Sequence, residues 1–301
     1  MNVTEKFPAV RGVLQENVNI GEKSFFRVGG AAEVLFTPSD MEDLLFFLRK
    51  LPKNTPVTIL GAMSNVLIRS GGIKGVVIIF DKNFGKIFVE DDVLEVGAAV
   101  HCSELSAAAL NHELGGFEFL MGIPGTIGGA IKMNAGCYCS RISDSLIECE
   151  GITFSGQTKW IKSTDMNFSY RASSIPDDLI ITRAWFQGTS NVNYSISKKI
   201  NEIAAKRKDN QPHQRRSCGS TFKNAAGQKA WELIEAAGCR GLKVGGATVS
   251  EKHCNFIINE NNASAEDIED LGELIIQKVL ENSGVLLEWE IVRLGSKSNK
   301  E

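Results

Sequence analysis

No stretch of this chain approaches the ~18 to 20 consecutive apolar residues that a membrane-crossing helix requires. Its opening, MNVTEKFPAVRG, lacks the charged-then-apolar order of a secretory leader. The sequence therefore predicts a cytoplasmic chain that works away from the membrane. A basic excess is missing too: 33 Lys and Arg face 36 Asp and Glu, a net charge of −3. Such a chain has no global field to hold nucleic acid or an anionic bilayer. Any anion it binds must be gripped locally, by main-chain N–H groups and a few placed cations. Metal-ligand spacing is absent as well. The seven cysteines (102, 137, 139, 149, 218, 239, 254) are odd in number and irregularly spaced, with no C-x-x-C pair. Cys137-Tyr138-Cys139 and His253-Cys254 have no suitably spaced partners, so reduced thiols and no metal are expected. Internal repeats and low-complexity blocks are also lacking.

What is present suits a globular protein of about two domains. Of 301 residues, 43% are hydrophobic and 23% charged, enough to bury a real core. Ser39-Asp40-Met41-Glu42 reads as a capping box before the apolar run Leu44, Leu45, Phe47, Leu48. Short buried strands are expected at Val57 to Leu60, Val66 to Ile68 and Val76 to Phe80. Lys86 to Gly97 and Ser145 to Trp160 alternate as hairpins, and Leu179 to Phe186 reads as a closing strand. His101 to Leu114 reads as an Ala-rich helix stopped by Gly115-Gly116. After a polar boundary at Asn191 to Ser195 the texture changes. Helices are expected at Ile196 to Lys208, Gln228 to Ala237 and Ser264 to Asn282. Strands are expected at Asn255 to Asn259 and Leu286 to Val292, and the basic stretch Arg207 to Ser220 reads as a loop.

Two glycine-bearing loops follow apolar runs: GAMSN (Gly61 to Asn65) and MGIPGTIGGAIKMNAG (Met121 to Gly136). Glycine lets main chain approach a ligand and aim its N–H groups at an anion. Neither loop has the Lys-Ser/Thr of a P-loop or the G-x-G-x-x-G of a dinucleotide fold. Each alone is equally readable as a tight turn.

Taken with the rest of the chain, these loops resemble a known family. VTILGAMSNVLIRSGGIKGVVI is similar to the first flavin loop of the vanillyl-alcohol-oxidase-type flavoproteins. GIPGTIGGAIKMNAG is similar to the second pyrophosphate and flavin loop of the UDP-N-acetylenolpyruvoylglucosamine reductases. FRVGG (26–30), FSYRASS (168–174), GSTFKN (219–224), VSEKHCNFIIN (249–259) and LEWEIVRLG (287–295) continue the match in order. The resemblance implies an α+β fold, with a two-part FAD-binding domain at 26–190 after an N-terminal segment at 1–25, and a C-terminal α+β substrate-binding domain at 191–301. It implies FAD as cofactor, NADPH as reductant and UDP-N-acetylglucosamine enolpyruvate as substrate, in a monomer or weak oligomer. Flavin N5 would pass hydride to the terminal enolpyruvyl carbon, leaving enolate charge beside a carboxylate for donors and cations to stabilise. An acid must then protonate the neighbouring carbon.

By the same resemblance Ser220 is that acid, and Arg171 and Glu290 flank the enolate. The implied cofactor contacts in the first loop are Gly61, Ala62, Met63, Ser64, Asn65 and Leu67. In the second loop they are Gly122, Ile123, Pro124, Gly125, Thr126, Gly128, Gly129, Ala130, Asn134 and Gly136. Tyr170, Lys223 and Asn224 are the implied substrate contacts, while His253 and Asn255 read either as substrate contacts or as residues that hold the fold, the latter preferred. Without the family pattern, Arg171 would read as a surface cation, Ser220 as a turn residue and Glu290 as one of a solvated strand face with Glu288. Other flavin oxidases and a non-catalytic UDP-sugar or flavin binder remain alternatives. The chain departs from the pattern at Met63, where a smaller residue is common, at Ala225 and Trp289, where proline is usual, and at Trp231-Glu232. The short span from Arg171 to Trp185 lacks the tyrosine-bearing loop of the longer subtype.

Overall fold

In the computed structural model the described residues are 6–190, 193–212 and 215–298, and they fall into two units that are interleaved in sequence. Of the described residues, the first holds 6–16, 34–62, 75–190 and 193–206; the second holds 17–33, 63–74, 207–212 and 215–298. The chain thus changes unit within the first glycine loop, between Ala62 and Met63. Part of the expected N-terminal segment, residues 1–5, lies outside the described residues.

The first unit contains two sheets. One is four-stranded, in the order Val13–Asn19, Ala31–Thr37, Ile73–Ile79, Val57–Leu60, with the last two parallel. Helix α1, Met41–Lys50, covers it. The cap is Asp40, whose carboxylate accepts the Asp43 N–H, so the expected box is shifted by one residue from Ser39. Asp43 is itself buried and accepts main-chain N–H groups from Arg11, Gly12 and Ser39 at 2.8 to 3.0 Å. As a cap the charged Asp40 carboxylate accepts the helix N–H more strongly than a serine hydroxyl would. Leu44, Phe47 and Leu48, at helical spacing, pack on Val34, Phe36, Val76 and Ile78.

The second sheet is five-stranded and antiparallel, in the order Thr158–Lys162, Leu146–Thr153, Leu179–Gln187, Val93–Gly97, Ile87–Glu90. Both expected hairpins are in it. Its buried face carries Leu94, Val96, Cys149, Ala184 and Phe186, in one core with Leu105 of α2 (Cys102–Asn111) and Ile127 and Ile131 of α3 (Ile127–Lys132). Helix α2 stops earlier than expected, because Leu114-Gly115 pairs with Thr189-Ser190 instead. Helix α4, Asn193–Asn210, keeps Arg207 and Lys208, where the expected helix and loop overlapped, and runs on through Asp209 and Asn210. It begins inside the expected boundary at Asn191 to Ser195, whose first two residues lie outside the described ones.

In the second unit, α5 (Ala230–Ala236) and α6 (Ala265–Ser283) share a core with a three-stranded antiparallel sheet, Lys243–Val244, Ala247–Val249 and Ile257–Asn259. Ser264 and Asp267 cap α6 reciprocally, Gly284 ends it at φ 72°, and Ile268, Leu271, Ile275 and Val279 form its buried stripe. Val66–Ile68 pairs in parallel with Val292–Leu294. The last strand is therefore later and shorter than the expected Leu286 to Val292. Leu287 and Ile291 are buried as alternation requires, but Leu286 to Glu290 has no ladder beyond one bridge, Trp289 to Phe222.

Candidate active site

The glycine-rich part of the second loop, Gly122 to Gly129, is fixed mainly by main chain. The Ile127 and Gly128 N–H groups donate to Val100 and Ala98 carbonyls at 2.9 Å, and Gly125 C=O accepts from Cys102 N–H at 2.9 Å. Gly128 is needed for close approach, since a Cβ would lie 3.1 Å from the Ala98 methyl. Gly61 of the first loop is packed against this one: a Cβ at Gly61 would collide with Thr126 Oγ1. The two loops that look unrelated in sequence therefore touch. Gly61, Pro124 and Gly129 are exposed, and a Cβ at Gly129 would meet only Thr126 Oγ1 at 3.8 Å. Bare main chain is thus presented to solvent, which suits a dinucleotide pyrophosphate that must lie on peptide groups. Ala62, Gly122, Ile123 and Gly125 are half-buried, and Ala130 points into the core.

Gly136 begins a tight hairpin, Gly136–Cys137 with Ser140–Arg141, whose return strand leaves no room for a side chain. Asn134, 2% exposed, donates Nδ2–H to Ser169 C=O at 3.0 Å and accepts Ser143 N–H at 3.1 Å. It ties the loop to the turn that carries Tyr170 and Arg171. Ser169 and Ala172 exchange N–H···O bonds of 3.0 and 3.3 Å, leaving Tyr170-Arg171 as the central pair. Arg171 takes φ 57°, and its guanidinium stacks over the Tyr170 ring at 5.0 Å. Lys132 braces the same loop, donating to Ile175 C=O at 2.6 Å and Asp177 at 2.9 Å, while Ser173 Oγ donates to Lys132 C=O at 2.7 Å.

Within the second unit Ser220 and Glu290 lie on adjoining segments. Gly219, at φ 82°, turns the chain so that Ser220 is half-buried, and the next residue, Thr221, accepts the Glu290 N–H at 2.8 Å. Asn65, from the first loop, donates Nδ2–H to Glu290 C=O at 3.0 Å, and its own C=O accepts Val292 N–H at 3.0 Å. Thus the Asn65 end of a predicted cofactor loop holds the main chain on both sides of Ile291, directly after Glu290. Met63 takes φ 52° and its C=O accepts Phe25 N–H; Ser64 is half-buried, and Leu67 is packed in the core. Cys218 beside Ser220 is pushed up to about 12 by burial, so it stays a neutral thiol at working pH.

Lys223 is paired with Glu288 at 3.3 Å and donates its N–H to Glu288 C=O at 2.8 Å. Asn224 Oδ1 accepts Ala230 N–H at the start of α5, 3.0 Å away. Asn255 is 4% exposed and pairs both ways with the Phe222 peptide, accepting N–H at 2.9 Å and donating to C=O at 2.8 Å. His253 packs beside Phe256 at 4.7 Å, and burial depresses its pKa.

Sequence reasoning missed the brace behind this segment. Glu269, its side chain 5% exposed, accepts from Arg69 at 2.7 and 3.2 Å and from Arg293 at 3.1 Å. Arg293 also bonds Glu273 at 2.7 Å. The only available signal was a carboxylate on the apolar stripe of α6, which charge patterning alone reads as solvated.

The geometry agrees with known proteins. A family model described as an FAD binding domain matches residues 32–162, and one described as the UDP-N-acetylenolpyruvoylglucosamine reductase C-terminal domain matches residues 211–294. The reductase of that name from Bradyrhizobium sp. (strain ORS 278) is 46% identical, with 97% of this chain and 95% of the relative aligned. That from Gluconobacter oxydans (strain 621H) is also 46% identical, over 100% of this chain and 99% of the relative. The crystal structure of the reductase from Thermus caldophilus superposes with a TM-score of 0.83 at 31% identity, covering 95% of this chain and all of that one. The chain belongs to the UDP-N-acetylenolpyruvoylglucosamine reductase family.

Proposed function

We propose that this chain reduces UDP-N-acetylglucosamine enolpyruvate to UDP-N-acetylmuramate for peptidoglycan synthesis, with FAD as cofactor and NADPH as reductant. FAD held on the two glycine loops would supply the hydride-transfer chemistry that links NADPH to the substrate. Gly61 and the Gly122 to Gly129 loop fit that cofactor through exposed glycine main chain. Ser220 protonates the carbon next to the carboxylate. Serine is a weak acid, so it must hand on a proton held in a network, and Glu290 is the carboxylate that orients it. Arg171 supplies the fixed positive charge that stabilises the enolate. Tyr170, Lys223 and Asn224 are assigned to the UDP-sugar.

The observation that supports the acid pair is the 2.8 Å bond from Glu290 N–H to Thr221 C=O, which holds a carboxylate-bearing residue beside the segment of Ser220. The test separates the two half-reactions under anaerobic rapid mixing. Ser220→Ala should bleach normally with NADPH and recover its flavin bands ~10² to 10⁴-fold more slowly with substrate. Equal loss in both half-reactions would remove Ser220 from the role of acid. The reading of a monomer or weak oligomer in the cytoplasm accompanies this proposal, and light scattering on the purified chain checks the oligomeric part.

A further inference from the structure

The residue before Glu290 is held far more elaborately than a loop residue needs to be. Trp289 is half-buried in a stretch where only one bridge, to Phe222, substitutes for a strand ladder. Its ring is boxed from several sides. Phe222 lies 5.2 Å away between ring centroids, and the Arg293 guanidinium stands over the indole at 4.7 Å. The indole N–H donates to Glu273 at 3.1 Å, and Glu273 also accepts from Arg293 at 2.7 Å. Beneath it is Gly272, in the middle of α6, where any Cβ would collide with the Trp289 six-membered ring. Glycine is a poor helix former, so α6 carries an unfavourable residue at the one place where this ring needs the space.

We infer that Trp289 is a positioning residue for Glu290. The inference rests on the role assigned above to Glu290. A side chain fixed on four sides leaves its own main chain little freedom, and the peptide it passes on is that of Glu290. From there Thr221 takes the N–H and Asn65 takes the C=O. Trp289 thus fixes the approach to Glu290, while Asn65 and Thr221 fix its peptide groups. The carboxylate can then be aimed without a regular strand behind it, and a displacement of about 1 Å at such a group slows chemistry ~10²-fold.

The test is a double-mutant comparison of the two flavin half-reactions in the full-length FAD-loaded chain, using NADPH for bleaching and UDP-N-acetylglucosamine enolpyruvate for recovery. Trp289→Ala should leave bleaching within about twofold and slow recovery ~10²-fold. Trp289→Phe keeps a ring on Gly272 but loses the bond to Glu273, so it should restore most of that rate. In a Glu290→Gln background neither substitution should slow recovery further, because a residue acting through Glu290 has nothing left to position. If W289A does not fold, W289F carries the test: recovery several-fold slower alone and unchanged in the E290Q background. Multiplying losses, equal losses in both half-reactions, or wild-type recovery in W289F and W289A alike would overturn the inference. E290Q with wild-type recovery would instead overturn the role of Glu290, which is a separate result.

Discussion

The glycine loop at 122–129 and the segments around Ser220 and Glu290 reach fixed geometry with a different balance of means. The loop is held by peptide groups bonded to peptide groups: Ile127 to Val100, Gly128 to Ala98, Cys102 to Gly125. Four of the eight residues from Gly122 to Gly129 are glycine, and at Gly128 an added Cβ would crowd the Ala98 methyl. Around Glu290, by contrast, side chains hold main chain: Asn65 on the Glu290 carbonyl, Asn255 on both sides of the Phe222 peptide, and Trp289 on α6. A region held by main chain tolerates no added atoms, whereas one held by side chains tolerates none removed. Cofactor binding should therefore be sensitive to small-to-large changes, and the acid pair to truncations.

The largest effect should come from adding one methyl group to the first region. Gly61→Ala puts a Cβ onto Thr126 Oγ1, and Thr126, 9% exposed and stiff at χ1, cannot swing aside. The variant should lose at least ~10²-fold in FAD affinity, ~3 kcal/mol, measured by flavin fluorescence on titration. Adding Thr126→Ala should recover a large part of it, since the clash is with one oxygen. FAD retention in Gly61→Ala equal to wild type would break the claim that the two loops are packed against each other.

This contrast also explains what could be read from the chain before its fold was known. The main-chain-held loops were legible because glycine density is visible in sequence, and the hairpins and α6 because their apolar spacing is. The contact between Gly61 and Thr126 was not, since it joins residues 65 apart through an absent side chain. Nor was the shift of the α1 cap from Ser39 to Asp40, since adjacent Ser and Asp both suit a cap and the Ser39 N–H is drawn instead to the Asp43 carboxylate. Glu290 was read from its motif, but the strand expected beneath it is replaced by tertiary contacts that no local pattern encodes. Likewise Glu269 looks like any helix carboxylate until Arg69 and Arg293 are brought to it.

Truncating the second region's brace tests the other half of the comparison. Glu269→Ala strands two arginines about a quarter exposed, so the loss should be near the lower end for a broken buried pair, about 2 to 3 kcal/mol by denaturant titration. The Arg69 hydrogen bonds hold the Glu269 carboxyl below its ordinary 4.5; burial opposes them, and the charges of Arg69, Lys297 and Arg293 assist. A lowered value means the folded state binds its proton later than the unfolded one. The stabilisation is complete above about pH 4.5 and disappears as pH falls through the folded value, so the variant should show a flatter acid limb. An unchanged limb would remove Glu269 as the brace.

Asp43 offers the matching experiment in the first unit, with a smaller effect. Burial pushes its carboxyl up, but N–H groups of Arg11, Ser39 and Gly12 and the Arg11 charge outweigh it, leaving it below 3.8. Asp43→Asn keeps the shape but turns an amide donor toward main-chain donors. It should lose about 1 to 2 kcal/mol at neutral pH, and the difference from wild type should close below pH 3.8 as the native carboxyl is protonated. A gap that persists in acid would point to packing instead of charge.

The smallest effect belongs to Met63→Gly, at the point where the chain passes from the first unit to the second. Its φ of 52° lies in the left-handed region, which disfavours a side chain by roughly 1 to 2 kcal/mol. Met63→Gly removes that strain but adds about 0.5 to 1 kcal/mol of unfolded-state freedom. The two nearly cancel, so the melting temperature should move by no more than about 2 °C and FAD should be retained. Met63→Val is the sharper arm. A β-branched residue at positive φ has no comfortable rotamer, so the loop must shift, carrying the Met63 carbonyl away from Phe25 N–H. Loss of about 2 kcal/mol with weakened FAD in M63V, beside a neutral M63G, would show that this junction is held by backbone shape and belongs with the glycine loop. Equal losses in both would show that the methionine side chain holds it, which moves the junction into the side-chain-held region with Glu290.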